Sequence, residues 1–436
     1  MSTLIKLILV FYYVLVVLVI DGLYLSSGKK RPYIILMLSL TVATISLNLF
    51  FNLRLINVYV PVLMFLCINN FVVFRERKGA QGSEAYKFTV FLMLVPVLAM
   101  AVQLFNTRIY NYDFYASLLT QAIIVLLLFL VFRNNSRYIH QDTVLQIICV
   151  FSFINSILGF MQVIFNKRFT PGSVSEDVFE AGFRRVYGFA GGINAAGNLS
   201  AILFIITIYI LYRKRTRWNL LVFALNLVFL VMNMTRIAYL GAAAGLLLIF
   251  LFFRDPRKRG IDILLFLKKS LILIICLIIL FFSYQIFLPG LYDYLFTKRG
   301  ATHQHRIDQF QAVWELIREH PVKGVGAGQY SYVYAEQFNK IDLTIHSQWL
   351  SILTEKGVIV LSAFILFELM LFCFMIKKYE SYSWFVIALF VTRTIVSNFN
   401  GTQYYFVVNN IFYFTVFGLI FSGNNYMGGI IGKKDR

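Results

Sequence analysis

Apolar runs long enough to cross a bilayer recur from one end of this chain to the other, and they limit the folds open to it. A membrane-crossing helix needs about 20 mostly apolar residues, and its backbone polar groups must be satisfied within the segment. Such runs read at 4–24, 33–51, 55–74, 88–105, 116–132, 144–165, 194–212, 219–234, 236–253, 270–288, 346–376, 383–400 and 404–421. With 59% hydrophobic and 14% charged residues, the chain lies well outside the soluble norm of about 25% charged. The expected fold is all-α, a polytopic membrane protein of about 12–14 transmembrane helices. Residues 1–436 read as a single integral membrane domain. The first run, Leu4 to Ile20, lacks a basic leader and a small-residue cleavage site, so it reads as a span rather than a signal peptide.

The net charge of +20 is not distributed as a nucleic-acid surface would be. Lys29-Lys30-Arg31, Arg213-Lys214-Arg215, Arg257-Lys258-Arg259, Lys268-Lys269, Lys377-Lys378 and Lys433-Lys434 fall in alternate loops. That is the pattern of loops kept on the cytoplasmic side by Lys and Arg. The charge orients the chain among membrane lipids, and no nucleic-acid partner is implied. An odd span count then puts the N-terminus outside and the C-terminus inside. Cys67, Cys149, Cys276 and Cys373 lie singly within apolar runs without ligand spacing, and read as small core or lipid-facing residues.

Two loops stand out on the opposite, extracytoplasmic face: residues 166–193, and a large polar loop at 289–345 containing short helices. In the larger loop Arg306 opens an amphipathic helix pattern with Ile307, Phe310, Val313 or Trp314, and Ile317 on its apolar side, ended by His320-Pro321. Gly324, Gly326 and Gly328 follow, spaced for a tight turn in which backbone approaches a ligand or another helix. A dinucleotide loop would need a preceding strand, which the pattern lacks. His303 and His305 could offer two metal nitrogens, but no carboxylate stands at ligand spacing. A solvated loop is the expected reading, and no metal is assigned.

Three helices are expected to begin on the outer face, near Asn194, Arg236 and His346. A helix start presents unpaired N–H groups and the positive end of its dipole. Arg184-Arg185 precedes the first of these starts, and Thr235-Arg236 makes a tight turn before the second. Thr344 is the expected N-cap of the third, which would put His346 in the first turn. Helix starts beside arginine forks suit a phosphate or pyrophosphate, and they make one anion site if the three ends adjoin. Arg236 reads either as a headgroup anchor or as a fixed cation facing a polar cavity, and Asn233 and Thr235 beside it favour the second. His346 reads either as an interfacial structural histidine or as a general base. A neighbouring dipole and arginines disfavour its cation, and a neutral imidazole can accept a hydroxyl proton. Glu355 falls on roughly the opposite side of the same helix, so it does not pair with His346.

Three stretches carry a resemblance: Arg185-Val186-Tyr187-Gly188-Phe189 with Asn194-Ala195-Ala196-Gly197; Thr235-Arg236-Ile237-Ala238; and the run from Arg306 through Trp314, Pro321 and Gly324-Val325-Gly326 to His346-Ser347, Leu350 and Glu355-x-Gly357. In that order they resemble the O-antigen polymerase and O-antigen ligase superfamily (Wzy and WaaL), membrane enzymes with a glycosyltransferase-C-like helical fold. Ile237 stands where that family commonly has glycine, and Ser347 where it frequently has asparagine. The resemblance implies an oligosaccharide donor carried on undecaprenyl pyrophosphate, used at the outer face of a bacterial cytoplasmic membrane. Arg185, Arg236 and Arg306 would hold the pyrophosphate, with Arg184, Asn194, Thr235, Gly326 and Trp349 in support. His346 would deprotonate an acceptor hydroxyl for direct displacement at the anomeric carbon, without metal, nucleotide or other cofactor.

The expected function is polymerisation of repeat units into O-antigen or capsule chains, with a chain-length regulator and a flippase as partners. Transfer of finished chains to lipid A core, the ligase reaction, uses the same motifs. A flippase or other transporter is the alternative from a different class. It calls for internal repeats and midplane charges, whereas no repeat is evident and intramembrane acids are few, Glu368 and Asp21 among them.

Overall fold

Apolar helices need polar ends, and the helices of this protein have them. The computed structural model describes residues 125–133, 135–136, 138–169, 178–180, 183–190, 192–253, 301–339, 345–399 and 407–422, with isolated positions between 34 and 110 and at 268–271. The spans expected at 4–24, 33–51, 55–74, 88–105 and 270–288 lie wholly or mostly outside the described residues. Helix α1, Gln141–Phe165, carries Asp142 in its first turn, where the positive dipole end favours an acid. It closes on Asn166 in a left-handed conformation, φ 51°, with the N–H groups of Asn166 and Lys167 returning to Val163 and Gln162 carbonyls.

Helix α2, Ile193–Arg213, is followed by α3, Arg217–Asn233, whose N-cap Thr216 accepts from the Asn219 N–H at 3.1 Å. A two-residue turn, Met234-Thr235, leads directly into α4, Arg236–Phe252. The polar stretch then forms α5, Ala301–Glu319, and α6, Tyr330–Phe338. Helix α7 is Gln348–Lys378, and a 3-10 turn at Glu380–Tyr382 joins it to α8, Ser383–Phe399. The last described helix, α9, is Val407–Phe421.

The fold is that of an all-α polytopic membrane protein. Among the described residues α1, α2, α7 and the stretch Glu380–Phe399 are long and apolar enough to cross a bilayer, while α3, α4 and α9 are shorter apolar helices. One departure is small: the loop at 166–193 contains a two-stranded antiparallel hairpin, β1 (Phe179–Glu180) and β2 (Phe183–Arg184), with Phe179 opposite Arg184. A two-residue strand has too little periodicity to be read from sequence.

Helix α2 is buried along nearly its whole length and packs against α3, α4 and α8. Its neighbour α4 presents Ala238, Gly241, Ala242 and Gly245 as its buried face. A Cβ on Gly241 would stand 2.6 Å from Val396 Cγ1, and one on Gly245 would stand 2.4 Å from Thr392 Oγ1 and 2.6 Å from Ile205 Cδ1. Small residues at this spacing let three backbones close together where lipid offers no hydrophobic drive to association. Leu220, Leu227 and Val231 on α3, and Val150, Ile154, Met161 and Ile164 on α1, remain exposed. In water they would be unfavourable patches; in a bilayer they are the lipid-facing surface.

Charge also enters the bundle. Arg393 on α8, 1% exposed, pairs with Glu368 on α7 at 2.7 Å and donates to Asn409 Oδ1 on α9 at 3.2 Å, and Tyr413 of α9 contacts both partners. A buried pair compensates its desolvation only when its remaining donors and acceptors are met. Asn409 and Tyr413 supply that, and the three C-terminal helices are tied together. Glu368 was legible as an intramembrane acid; its partner Arg393 was not.

Candidate functional site

Arg185 is 3% exposed and lies just past the β-hairpin. Its Nε donates to the Asn233 carbonyl at 2.8 Å and its Nη2 to Thr235 Oγ1 at 3.2 Å. Asn233, the last residue of α3, returns two bonds from Nδ2, to the carbonyls of Val186 (2.9 Å) and Ile193 (3.1 Å). Gly197 lets this corner close, since a Cβ there would lie 2.4 Å from Asn233 Oδ1 and 2.7 Å from Thr235 Cβ. The first two motif stretches are therefore one hydrogen-bonded unit: the arginine before α2 holds the turn between α3 and α4. Thr235, N-cap of α4, makes no cap bond to its own helix; its hydroxyl serves Arg185 and the Ile193 carbonyl instead.

Around this corner Arg236 occupies the first turn of α4, half-buried, while Asn194 is exposed near the start of α2. Arg184 is exposed and reaches the Val163 carbonyl at 3.3 Å. The main chain at 187–188 is fastened from α1, where Gln162 Oε1 accepts from the N–H groups of Tyr187 and Gly188 at 3.2 and 2.8 Å. Gly188 has φ 56° and lies against the Asn155 side chain, so both glycines of this first motif are close-approach positions.

The second unit surrounds His346. The N-cap of α7 is Ser347, whose Oγ accepts from the Leu350 N–H, so His346 stands just before the cap rather than in the first turn. This corrects the expectation for Thr344, which lies outside the described residues. Serine immediately after the histidine offers an oxygen to the exposed helix N–H groups. The His346 N–H donates to Gln309 Oε1 of α5 at 3.2 Å. From the other side, Asn398 Oδ1 on α8 accepts from the Trp349 N–H at 3.0 Å and lies 3.2 Å from Ser347 Oγ.

Behind the histidine, the glycine turn meets α7 backbone to backbone. Val325 N–H donates to the Thr354 carbonyl at 2.8 Å, Gly326 N–H to the Glu355 carbonyl at 2.9 Å, and Val358 N–H to the Pro321 carbonyl at 2.9 Å. The Glu355 side chain accepts from the Gly328 backbone. Gly357 breaks the helix at φ 80°, and a Cβ on it would fall 1.8 Å from the Val322 carbonyl oxygen. The glycines serve close approach to another helix, one of the two uses expected of them, and Gly326 is thus backbone support for the stretch that carries His346.

Helix α5 ends at Glu319, before His320-Pro321, as expected, and its buried face agrees with the expected one at Val313 and Ile317 but not at Phe310 and Trp314. Gln309, Ala312, Val313, Leu316 and Ile317 are buried, whereas Phe310 and Trp314 are 41% and 50% exposed. Phe310, Gln311, Val313 and Trp314 line a groove of about 380 Å³ with Leu350 of α7. The polar residue Gln309 is turned inward because its side chain holds the His346 main chain. Arg306 belongs to α5, but its side chain, like those of His303 and His305, lies outside the described residues.

The two units meet at the C-terminal turn of α8. Asn198, near the start of α2, donates to the Val396 carbonyl at 3.1 Å. Val396 also packs on Gly241 of α4, and Asn398 holds the start of α7. The three helix starts expected near Asn194, Arg236 and His346 therefore gather at one end of the bundle, around residues 396–398. Asn233 was named in the sequence only as a polar neighbour of Arg236; Gln309 and Asn398 were not singled out, since nothing local marks an amide that will bond across the fold.

Residues 221–365 match the family model described as O-antigen ligase. The matched residues include the Thr235-Arg236 turn, the polar stretch and His346, so this part of the chain is similar to the O-antigen ligase family. No curated protein matches the chain.

Proposed function

We propose, for a chain whose residues 221–365 carry the O-antigen ligase family's domain, that the protein polymerises oligosaccharide repeat units carried on undecaprenyl pyrophosphate at the outer face of a bacterial cytoplasmic membrane. His346 is the general base for the acceptor hydroxyl, and Arg236 is the cation for the pyrophosphate. Arg306 is a second pyrophosphate ligand from α5. Arg185 contributes by holding the turn that presents Arg236, with Thr235, Arg184 and Asn194 around it.

The observation that carries this reading is the gathering of three helix starts around residues 396–398, with a half-buried arginine on one and a half-buried histidine beside another. Helix starts and a guanidinium stabilise the negative charge that builds on a departing pyrophosphate. A base within reach of the acceptor adds typically 10²–10⁴-fold. In the reaction the acceptor oxygen bonds to the anomeric carbon, the carbon–oxygen bond to pyrophosphate breaks, and the acceptor proton passes to His346.

Purified protein incubated with a lipid-linked repeat unit should yield a ladder of longer lipid-linked products. The family model's own description favours a second reading, transfer of a finished chain to lipid A core. In that case the same incubation gives no ladder, and product appears only when lipid A core is added. Absence of product under both conditions would reject both readings.

A further inference from the structure

We propose that Gln309 and Asn398 are positioning residues that together set the placement of His346; this rests on the reading of His346 as the base. Gln309 lies within the third motif stretch without being one of its defining residues, Asn398 lies outside all three, and the two sit on different helices. Gln309 is buried on α5, in the polar segment, and fixes the N–H of His346 itself at 3.2 Å. Asn398 ends α8, in the membrane bundle, and fixes the next two residues through Ser347 Oγ and the Trp349 N–H.

Asn398 is itself oriented, since its Nδ2 donates to the Thr394 carbonyl at 3.0 Å, which directs Oδ1 toward α7. The result is a doubled cap. Ser347 accepts from Leu350, Asn398 accepts from Trp349, and the orphan N–H groups of the first turn are shared between the two. A residue just outside a helix cap has freedom in φ and ψ that the helix does not remove. Here Gln309 and Asn398 remove it on either side, so the imidazole starts from a fixed backbone. Asn398 is also two residues from Val396, which contacts α2 and α4. Its bond to α7 therefore sets the histidine relative to the Arg236 turn. Misplacement of a reacting group by about 1 Å can cost on the order of 100-fold in rate.

The test compares Asn398→Leu, which removes the acceptor, with Asn398→Asp, which keeps an oxygen there, and Gln309→Leu with Gln309→Glu in the same way. Each full-length protein is assayed with lipid-linked repeat unit, and backbone amide exchange is followed over residues 345–353. The expected result is a fall in kcat of about 100-fold in the Leu variants, with KM little changed, substantial recovery in the Asp and Glu variants, and faster exchange at His346 and Trp349 in the Leu variants alone. Leu variants with wild-type kcat and wild-type exchange overturn the proposal. So does a loss shared equally by kcat and KM that the Asp and Glu variants do not restore. If the wild-type protein forms no product the functional reading fails, and the exchange measurement still decides whether the two amides hold this backbone.

Discussion

The arginine corner and the histidine corner are built from the same materials, helix ends, amides and glycines, but they commit them differently. At the arginine corner the guanidinium of Arg185 is buried and bonded to the Asn233 carbonyl and Thr235 hydroxyl. At the histidine corner buried groups hold the main chain, and the imidazole-bearing residue itself is only half-buried. A motif arginine can thus be spent on architecture while the next arginine along, Arg236, takes the more accessible place. Charge in a motif identifies a corner of the fold; burial separates the scaffold arginine from the one left accessible.

Substitution can break or sharpen that contrast. His346→Ala should show the largest effect, with product formation lowered by about 10²–10⁴-fold and an unchanged melting temperature in detergent; normal product would remove the histidine from the chemistry. Arg236→Ala should follow, lowering turnover by about 10²–10³-fold with little change in stability. Arg185→Ala should do the reverse in kind. It loses about 1–3 kcal/mol of stability by removing the buried donors to the Asn233 carbonyl and the Thr235 hydroxyl, and it binds lipid-linked substrate less well only in proportion to the folded protein lost. If Arg185→Ala proved stable and inactive, the division between scaffold and ligand would fall. Gly357→Ala should cost upwards of about 1–3 kcal/mol from its positive φ and the collision with Val322, visible as a lowered melting temperature. Thr216→Ala, which removes a cap from the opposite end of α3, should cost about 1 kcal/mol and leave turnover untouched.

Much of this contrast was legible in the residues. Hydropathy located α1 to α4 and α7 to α9 within a few residues, since a bilayer permits little besides an uninterrupted apolar helix. The pairing of the Arg185 stretch with the Thr235 turn stood in the sequence only as a condition, that the helix starts adjoin, and the bonds between them were not legible there. The face of α5 was legible in part: Val313 and Ile317 are buried, whereas Phe310 and Trp314 stay outside and the polar Gln309 is turned in by a bond to His346. Asn398 left no trace, as nothing around it in sequence announces a cap for a helix some fifty positions earlier. Ser347 was passed over for Thr344 because either could cap, and only the Leu350 N–H decides between them.

Gly357 divides α7 into a short foot and a long column. Residues 358–378, rising about 1.5 Å apiece, measure roughly 30 Å, the depth of a bilayer's oily interior. The foot that carries Trp349 and follows His346 is then surplus to the crossing, clipped instead to the 321–326 turn. The column alone matches the thickness of a bilayer, and the foot before that single break takes its position from the turn it is clipped to.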